Sequence, residues 1–151
     1  MNASHRKALA CATTLLLISG AANAHHSKSM FDSTQCATIE GTVRTFEWAY
    51  PHSWLWIFVH NPTTGSDDIW GFESMSPAQL FGVDHRWTRD VLKKGDKVNV
   101  RYSPTVDGSH AGSMNSVTLP DGRVFLGAPD ACSGAVGNPK SPGDFDSPYR
   151  K

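Results

Sequence analysis

Trp54-Leu55-Trp56-Ile57-Phe58-Val59-His60 is apolar at almost every position. A short run of aromatic and β-branched residues reads as a strand, and apolar character at both odd and even positions gives both of its faces something to meet. Such a strand is either central in a closed sheet or presents aromatic rings on its outer side. Upstream, Ala49-Tyr50-Pro51-His52-Ser53 breaks the pattern, because proline restricts its neighbour and donates no hydrogen bond. Before that break, residues 38–48 form a strand signal in which Ile39, Gly41, Val43 and Thr45 alternate against Glu40, Thr42, Arg44 and Phe46. Gly41 inside it suggests a bulge or bend.

Downstream, Asn61-Pro62-Thr63-Thr64-Gly65-Ser66 is a turn, and residues 68–74 form a third strand carrying Ile69, Trp70 and Phe72. Residues 76–81 fit a short helix with Ser76 as N-cap and Pro77 in the first turn. Residues 88–95 read as one or two more helical turns, capped by Thr88 and stopped by Gly95. Residues 97–102 alternate cleanly as a strand, and residues 106–112 are a glycine-rich loop. Pro120-Asp121-Gly122 turns a hairpin between residues 115–119 and 123–126. Five or six short strands with little helix predict a mainly β fold: a small antiparallel β-barrel, OB-like, or a compact sandwich, with one or two short helices.

The ends of the chain are of different character. His5-Arg6-Lys7, an apolar run over residues 8–18 and the small-residue exit Ser19-Gly20-Ala21-Ala22-Asn23-Ala24 have the order of an export signal. The run is too short for a membrane-spanning helix, which needs about 20 residues, and no second run of that length follows. The expected organisation is therefore a signal peptide over 1–24, an N-terminal arm over 25–37, a barrel domain over 38–127 and a Pro/Gly-rich tail over 128–151. Phe31 is the residue that would anchor the arm. The mature protein is expected to be periplasmic or secreted, without a transmembrane segment.

Removing Arg6 and Lys7 from 14 basic residues leaves 12 against 14 acidic. A mature charge of about −2 argues against nucleic acid or an anionic membrane surface as partner. Cys11 leaves with the signal. Cys36 and Cys132 remain, and an even pair in an oxidising compartment reads as a disulfide, the alternative being two buried thiols.

His25-His26-Ser27 with Phe31-Asp32, Gly41-Thr42-Val43, Pro51-His52-Ser53-Trp54, Leu92-Lys93-Lys94-Gly95-Asp96-Lys97-Val98, Asp107-Gly108-Ser109 and Asp121-Gly122-Arg123 follow one another in this order. Together they resemble the small secreted bacterial family filed as domain of unknown function 6152, over residues 25–126. The resemblance implies a signal peptide and a small β-rich domain, and no activity. The chain departs from that pattern by Tyr50, where asparagine precedes the proline, and by its Cys36/Cys132 pair and extended tail.

If the signal is cut after Ala24, His25 becomes the amino terminus. Its α-amine and imidazole Nδ1 can bind one metal together, and another histidine completes a T-shaped nitrogen set, similar in ligand type to a histidine brace. Nitrogen donors in a tetragonal arrangement favour Cu(II). The α-amine has a reference pKa near 7.7 to 8.0, so it deprotonates at small cost at neutral pH. His26 is next in line, His52 is the candidate brought from a distance, and His110 in its glycine-rich loop is a fourth. Copper is the expected cofactor if there is one; otherwise the two N-terminal histidines are a solvated end and His52 is a turn residue donating to a backbone carbonyl.

No Gly-x-Ser-x-Gly, His-Glu-x-x-His, Cys-x-x-Cys or phosphate-cradling loop with lysine is present. Glu40, Glu47 and Glu73 lie near strands without a visible partner. Trp54 and Trp56, with Trp70, form the other candidate: a stacking surface for a planar ligand or a periplasmic protein partner, set against the general tendency of tryptophans to be core. Two readings from different classes follow: a periplasmic copper-binding protein, and a metal-free interaction module using the aromatic surface. A copper-dependent enzyme is a more remote third.

The cleavage point separates two metal chemistries. Intact mass of protein recovered from its export compartment is expected to begin at His25. A start at Asn23 would instead place His25 third, in an amine-and-amide nitrogen set.

Overall fold

In the computed structural model, which describes residues 30–134, the tryptophan-rich run is strand β2 (Trp54–Asn61), central between two neighbours. Leu55, Ile57 and Val59 are buried, while Trp54, Trp56 and Phe58 lie half-buried on the outer face. Both expectations for an all-apolar strand are therefore met in one element. Its partners are β1 (Ala37–Glu47) and β3 (Ser66–Glu73), both antiparallel to it.

The first half of β1 pairs with β4 (Lys97–Pro104) from Ala37↔Tyr102 to Thr42↔Lys97, and the second half with β2 from Thr42↔Phe58 to Glu47↔Trp54. The strand changes faces through an irregularity between Val43 and Thr45. That bulge corrects the expectation at Gly41, which pairs regularly with Val98. Gly41 answers a different need: a Cβ there would stand 2.6 Å from the Phe58 carbonyl oxygen and 2.6 Å from Ile57 Cδ1.

β4 is followed by β5 (Ala111–Thr118), and a short parallel contact from Gly71↔Ala111 to Glu73↔Ser113 closes the sheet on itself. The cyclic order β1-β2-β3-β5-β4 is a closed five-stranded barrel of OB topology. β6 (Val124–Leu126) extends β5 beyond the closure. Its outer edge is met by two side chains: Arg86 Nη2 donates to the Val124 carbonyl at 3.2 Å and Trp87 Nε1 to the Leu126 carbonyl at 2.9 Å. Covering an edge in this way removes a template for strand addition.

Helix α1 (Pro77–Val83) lies between β3 and β4, with Ser76 as N-cap, and contributes Leu80 to the core. Gln79 Oε1 accepts from both the amide and the hydroxyl of Ser76, at 3.1 and 2.8 Å. It is the only α-helix among the described residues. Residues 88–95 form turns instead of the expected second helix. Their polar groups are engaged elsewhere: Lys93 N–H donates to Asp96 Oδ2, and Gly95, at φ +94°, donates to the Val43 carbonyl of β1. β5 begins at Ala111 rather than near Asn115, taking the last residues of the expected loop into the barrel closure. Trp70 and Trp87 are buried, at 6% and 1% exposure, so Trp70 belongs to the core and not to an outer platform.

Cys36 and Cys132 are bonded, with Cα atoms 5.0 Å apart. The signal segment, His25, His26 and most of the tail lie outside the described residues. Among those described, no helix is long and apolar enough to cross a membrane.

Substituting Gly41 by Val should force β1 and β2 apart and destabilise the fold by about 1–3 kcal/mol, the usual range for overpacking. Thermal unfolding measures this directly. An unchanged midpoint would mean that the close approach at Phe58 is not required.

Candidate functional site

The β2–β3 ladder runs one step past its last strand pair, Trp54↔Glu73, because the Ser53 amide donates to the Met75 carbonyl (3.1 Å) and the Ser74 amide to the Ser53 carbonyl (2.9 Å). Ser53 is buried, and the Tyr50-Pro51-His52 turn leaves from it. His52 is thereby held against the end of β3. Its Nδ1 lies 3.0 Å from the Ser74 carbonyl oxygen and 2.9 Å from Glu73 Oε1. A carbonyl can only accept, so Nδ1 carries the hydrogen of this contact. The side chains are 35% and 20% exposed, a half-wet setting at the rim of a cavity.

That cavity has a volume of about 750 Å³. One wall is the His52 turn with Glu73, Ser74 and Met75; another is the arm, through Met30, Phe31 and Ser33; a third is the segment after β6, including Ala128 and Asp130. The arm is fixed by backbone pairing to the end of β4: Asp32 N–H donates to the Pro104 carbonyl, Val106 N–H to the Met30 carbonyl, and Phe31 faces Thr105. Phe31 lies half-buried there, in the position expected of an anchor. Two hydrogen bonds from Thr34, the one from its hydroxyl being the stronger, hold the Asp32 carboxyl below the usual carboxylate range.

The third wall is fastened by the disulfide and by Ser103. The Ser103 hydroxyl donates to the Gln35 carbonyl at 3.1 Å and accepts from the Cys132 amide at 2.7 Å. Asn115 Nδ2 reaches the Ala131 carbonyl from β5.

The remaining candidates are spread over the barrel. His110 is not at this cavity: its ring stacks on Trp70, with centroids 4.6 Å apart and planes 9° from parallel, and its carbonyl accepts from Gly71 N–H. Among the described residues no three His, Cys, Asp or Glu side chains converge into a ligand group, so His52 and His110 do not join in one. Trp54 and Trp56 stack with centroids 5.5 Å apart and 16° between planes. Trp56 lies over Gly71, where a Cβ would stand 2.5 Å from its ring. Glu73 was visible in the sequence as a carboxylate near a strand, but nothing local to it pointed to His52. Met30 and Met75 also line the cavity, and nothing in the sequence around them points there.

A small closed β-barrel with a polar-rimmed cavity at its seam, overlaid by an N-terminal arm, is the class these features define. Residues 12–115 match the model of the family of unknown function DUF6152, and the chain belongs to that family. The matched span ends within β5, leaving β6 and Cys132 outside it. No curated protein and no solved structure matches the chain.

The assignment of the imidazole hydrogen is directly measurable. Long-range proton–nitrogen NMR of the neutral protein is expected to show His52 protonated at Nδ1. Glu73→Gln should keep that tautomer through the Ser74 carbonyl, whereas a ring protonated at Nε2 in the unsubstituted protein would contradict the geometry.

Proposed function

We propose that this chain is an exported small β-barrel that binds copper at the mouth of the His52 cavity. The donors are the α-amine and imidazole of His25 and the imidazoles of His26 and His52. The observation that carries the reading is the double engagement of His52 Nδ1 by Glu73 and Ser74. A histidine that ligates a metal characteristically gives its other ring N–H to a carboxylate or carbonyl, which fixes the ring and raises its basicity.

Chain length supports the assembly. Met30 is held at the cavity by its bond to Val106, and His26 precedes it by four residues. Four residues of extended chain cover at most about 14 Å. His25, which a cut after Ala24 would make the amino terminus, precedes Met30 by five residues, a reach of at most about 18 Å, so chain length permits its amine to approach this cavity. The disulfide, which forms and persists in oxidising compartments, is compatible with an exported protein.

A second reading rests on the outward Trp54/Trp56 pair: a planar ligand or a protein partner could stack on this face with no metal involved. It is the reading that survives if copper does not bind.

Cu(II) titration of the mature protein, followed by electron paramagnetic resonance, should give a one-to-one signal with several nitrogen donors. His25→Ala or His52→Ala should weaken binding by at least about tenfold, since even outer partners of a ligand histidine are worth 10–100-fold. Binding of equal strength in those variants would overturn the proposal.

A further inference from the structure

The register of the sheet surrounds the aromatic stripe of β2 with particular neighbours. Residues directly opposite one another on adjacent strands share a face, with Cβ atoms about 4.5–5.5 Å apart. Trp54 is opposite Glu47 on β1 and Glu73 on β3, so an aromatic ring is flanked on both sides by a carboxylate. The next outward row is Thr45, Trp56 and Gly71, and the row beyond it Thr42, Phe58 and Ile69. Gly71 lets Trp56 lie low over β3, and Trp54 stacks on Trp56. Glu47 and Ile69 are exposed. None of these residues is basic; Arg44, the one basic residue of β1, stands in the irregularity between Val43 and Thr45.

We infer that this face binds a linear aliphatic polyamine, one ammonium group lying over Trp54 between Glu47 and Glu73 and its methylenes running along Trp56 and Phe58. The inference deepens the reading of the Trp54/Trp56 face as a stacking surface and is independent of copper. Charge selects the occupant. A neutral planar molecule on Trp54 would take water from two carboxylates and return nothing, and an anion would be repelled. A primary ammonium offers a donor to each carboxylate and a cation to the indole face, which attracts one within about 6 Å of its centroid. Glu73 also accepts from His52 Nδ1, but a carboxylate has about four acceptor positions. β1 and β3 are two strand spacings apart, roughly 10 Å, a gap that two flexible glutamate side chains can close on one ammonium. Length selects further. From Trp54 to Phe58 the stripe runs about 13 Å, more than the four-carbon stem of a lysine can cover, so the fit is to a free methylene chain and not to a protein side chain. Asp67, opposite His60 one row past Phe58, offers a carboxylate to a second amine.

Spermidine is the probe, titrated into the metal-free mature protein with the indole N–H groups labelled for NMR. The Trp54 signal should move to saturation while those of the buried Trp70 and Trp87 stay in place, and the neutral chain 1,8-octanediol should move none of them. Trp54→Leu and Glu47→Gln should each weaken spermidine about two- to fivefold, the scale of an exposed cation–π contact or ion pair. Glu47 is exposed, so its substitution tests the site even if Trp54→Leu fails to fold. A Trp54 signal that ignores spermidine, or an affinity unchanged in Glu47→Gln, overturns the inference. If phenol, a neutral planar probe, still moves Trp54 in that case, the stacking surface stands without its ammonium; if phenol also fails, both readings of this face fall.

Discussion

Closure of the barrel depends on three residue pairs, Gly71↔Ala111, Phe72↔Gly112 and Glu73↔Ser113. Parallel pairing this short is held less by its own hydrogen bonds than by what lies under it, the fully buried Phe72 and Met114 and the nearly buried Tyr102. The seam also needs small residues. A Cβ at Gly112 would stand 2.3 Å from the Tyr102 ring and 2.7 Å from the Ser103 carbonyl, so a side chain there would displace β5 from β4. Glu73 is the last residue of β3 at this seam. Its carboxylate reaches the rim because the strand ends there, and His52 reaches it because the preceding turn leaves β2 at the same level.

Around the seam, two chain ends are fastened that have no place in the barrel itself. The disulfide joins residues 96 apart in sequence. By the chain-entropy model a closure of that length removes about 4–5 kcal/mol of freedom from the unfolded chain, although measured gains are often smaller. Its local consequence is structural: Cys36 stands just before β1, Cys132 follows the segment after β6, and the Ser103 hydroxyl bonds to both sides of the bridge. The arm and the segment after β6 therefore form cavity walls with fixed positions, which a terminus free to move would not provide.

Local pattern was enough to read most of this fold. The unbroken apolar run of β2, the alternation of β4, the Ser76-Pro77 helix start and the Pro120-Asp121-Gly122 turn each carry their cause within a few residues. Misreadings arose where the cause lies across the sheet. Gly41 looks like a bulge from its own strand, but its requirement comes from the Phe58 carbonyl on β2. Residues 88–95 have helix-ending chemistry, yet their amides are taken by β1 and by Asp96. The site was legible only in part for the same reason. His52 stood out through its proline turn, but Glu73 becomes its neighbour only once β2 and β3 are paired.

Stability gives little reason for Glu73 to stand beside His52. A partly exposed ion pair contributes about 0–1 kcal/mol, and the Ser74 carbonyl already satisfies the ring N–H. What the carboxylate adds is orientation. With two acceptors on one side, the ring is held in one orientation against the end of β3. The Glu73 carboxylate and the Ser74 carbonyl together tie the turn that enters β2 to the end of β3.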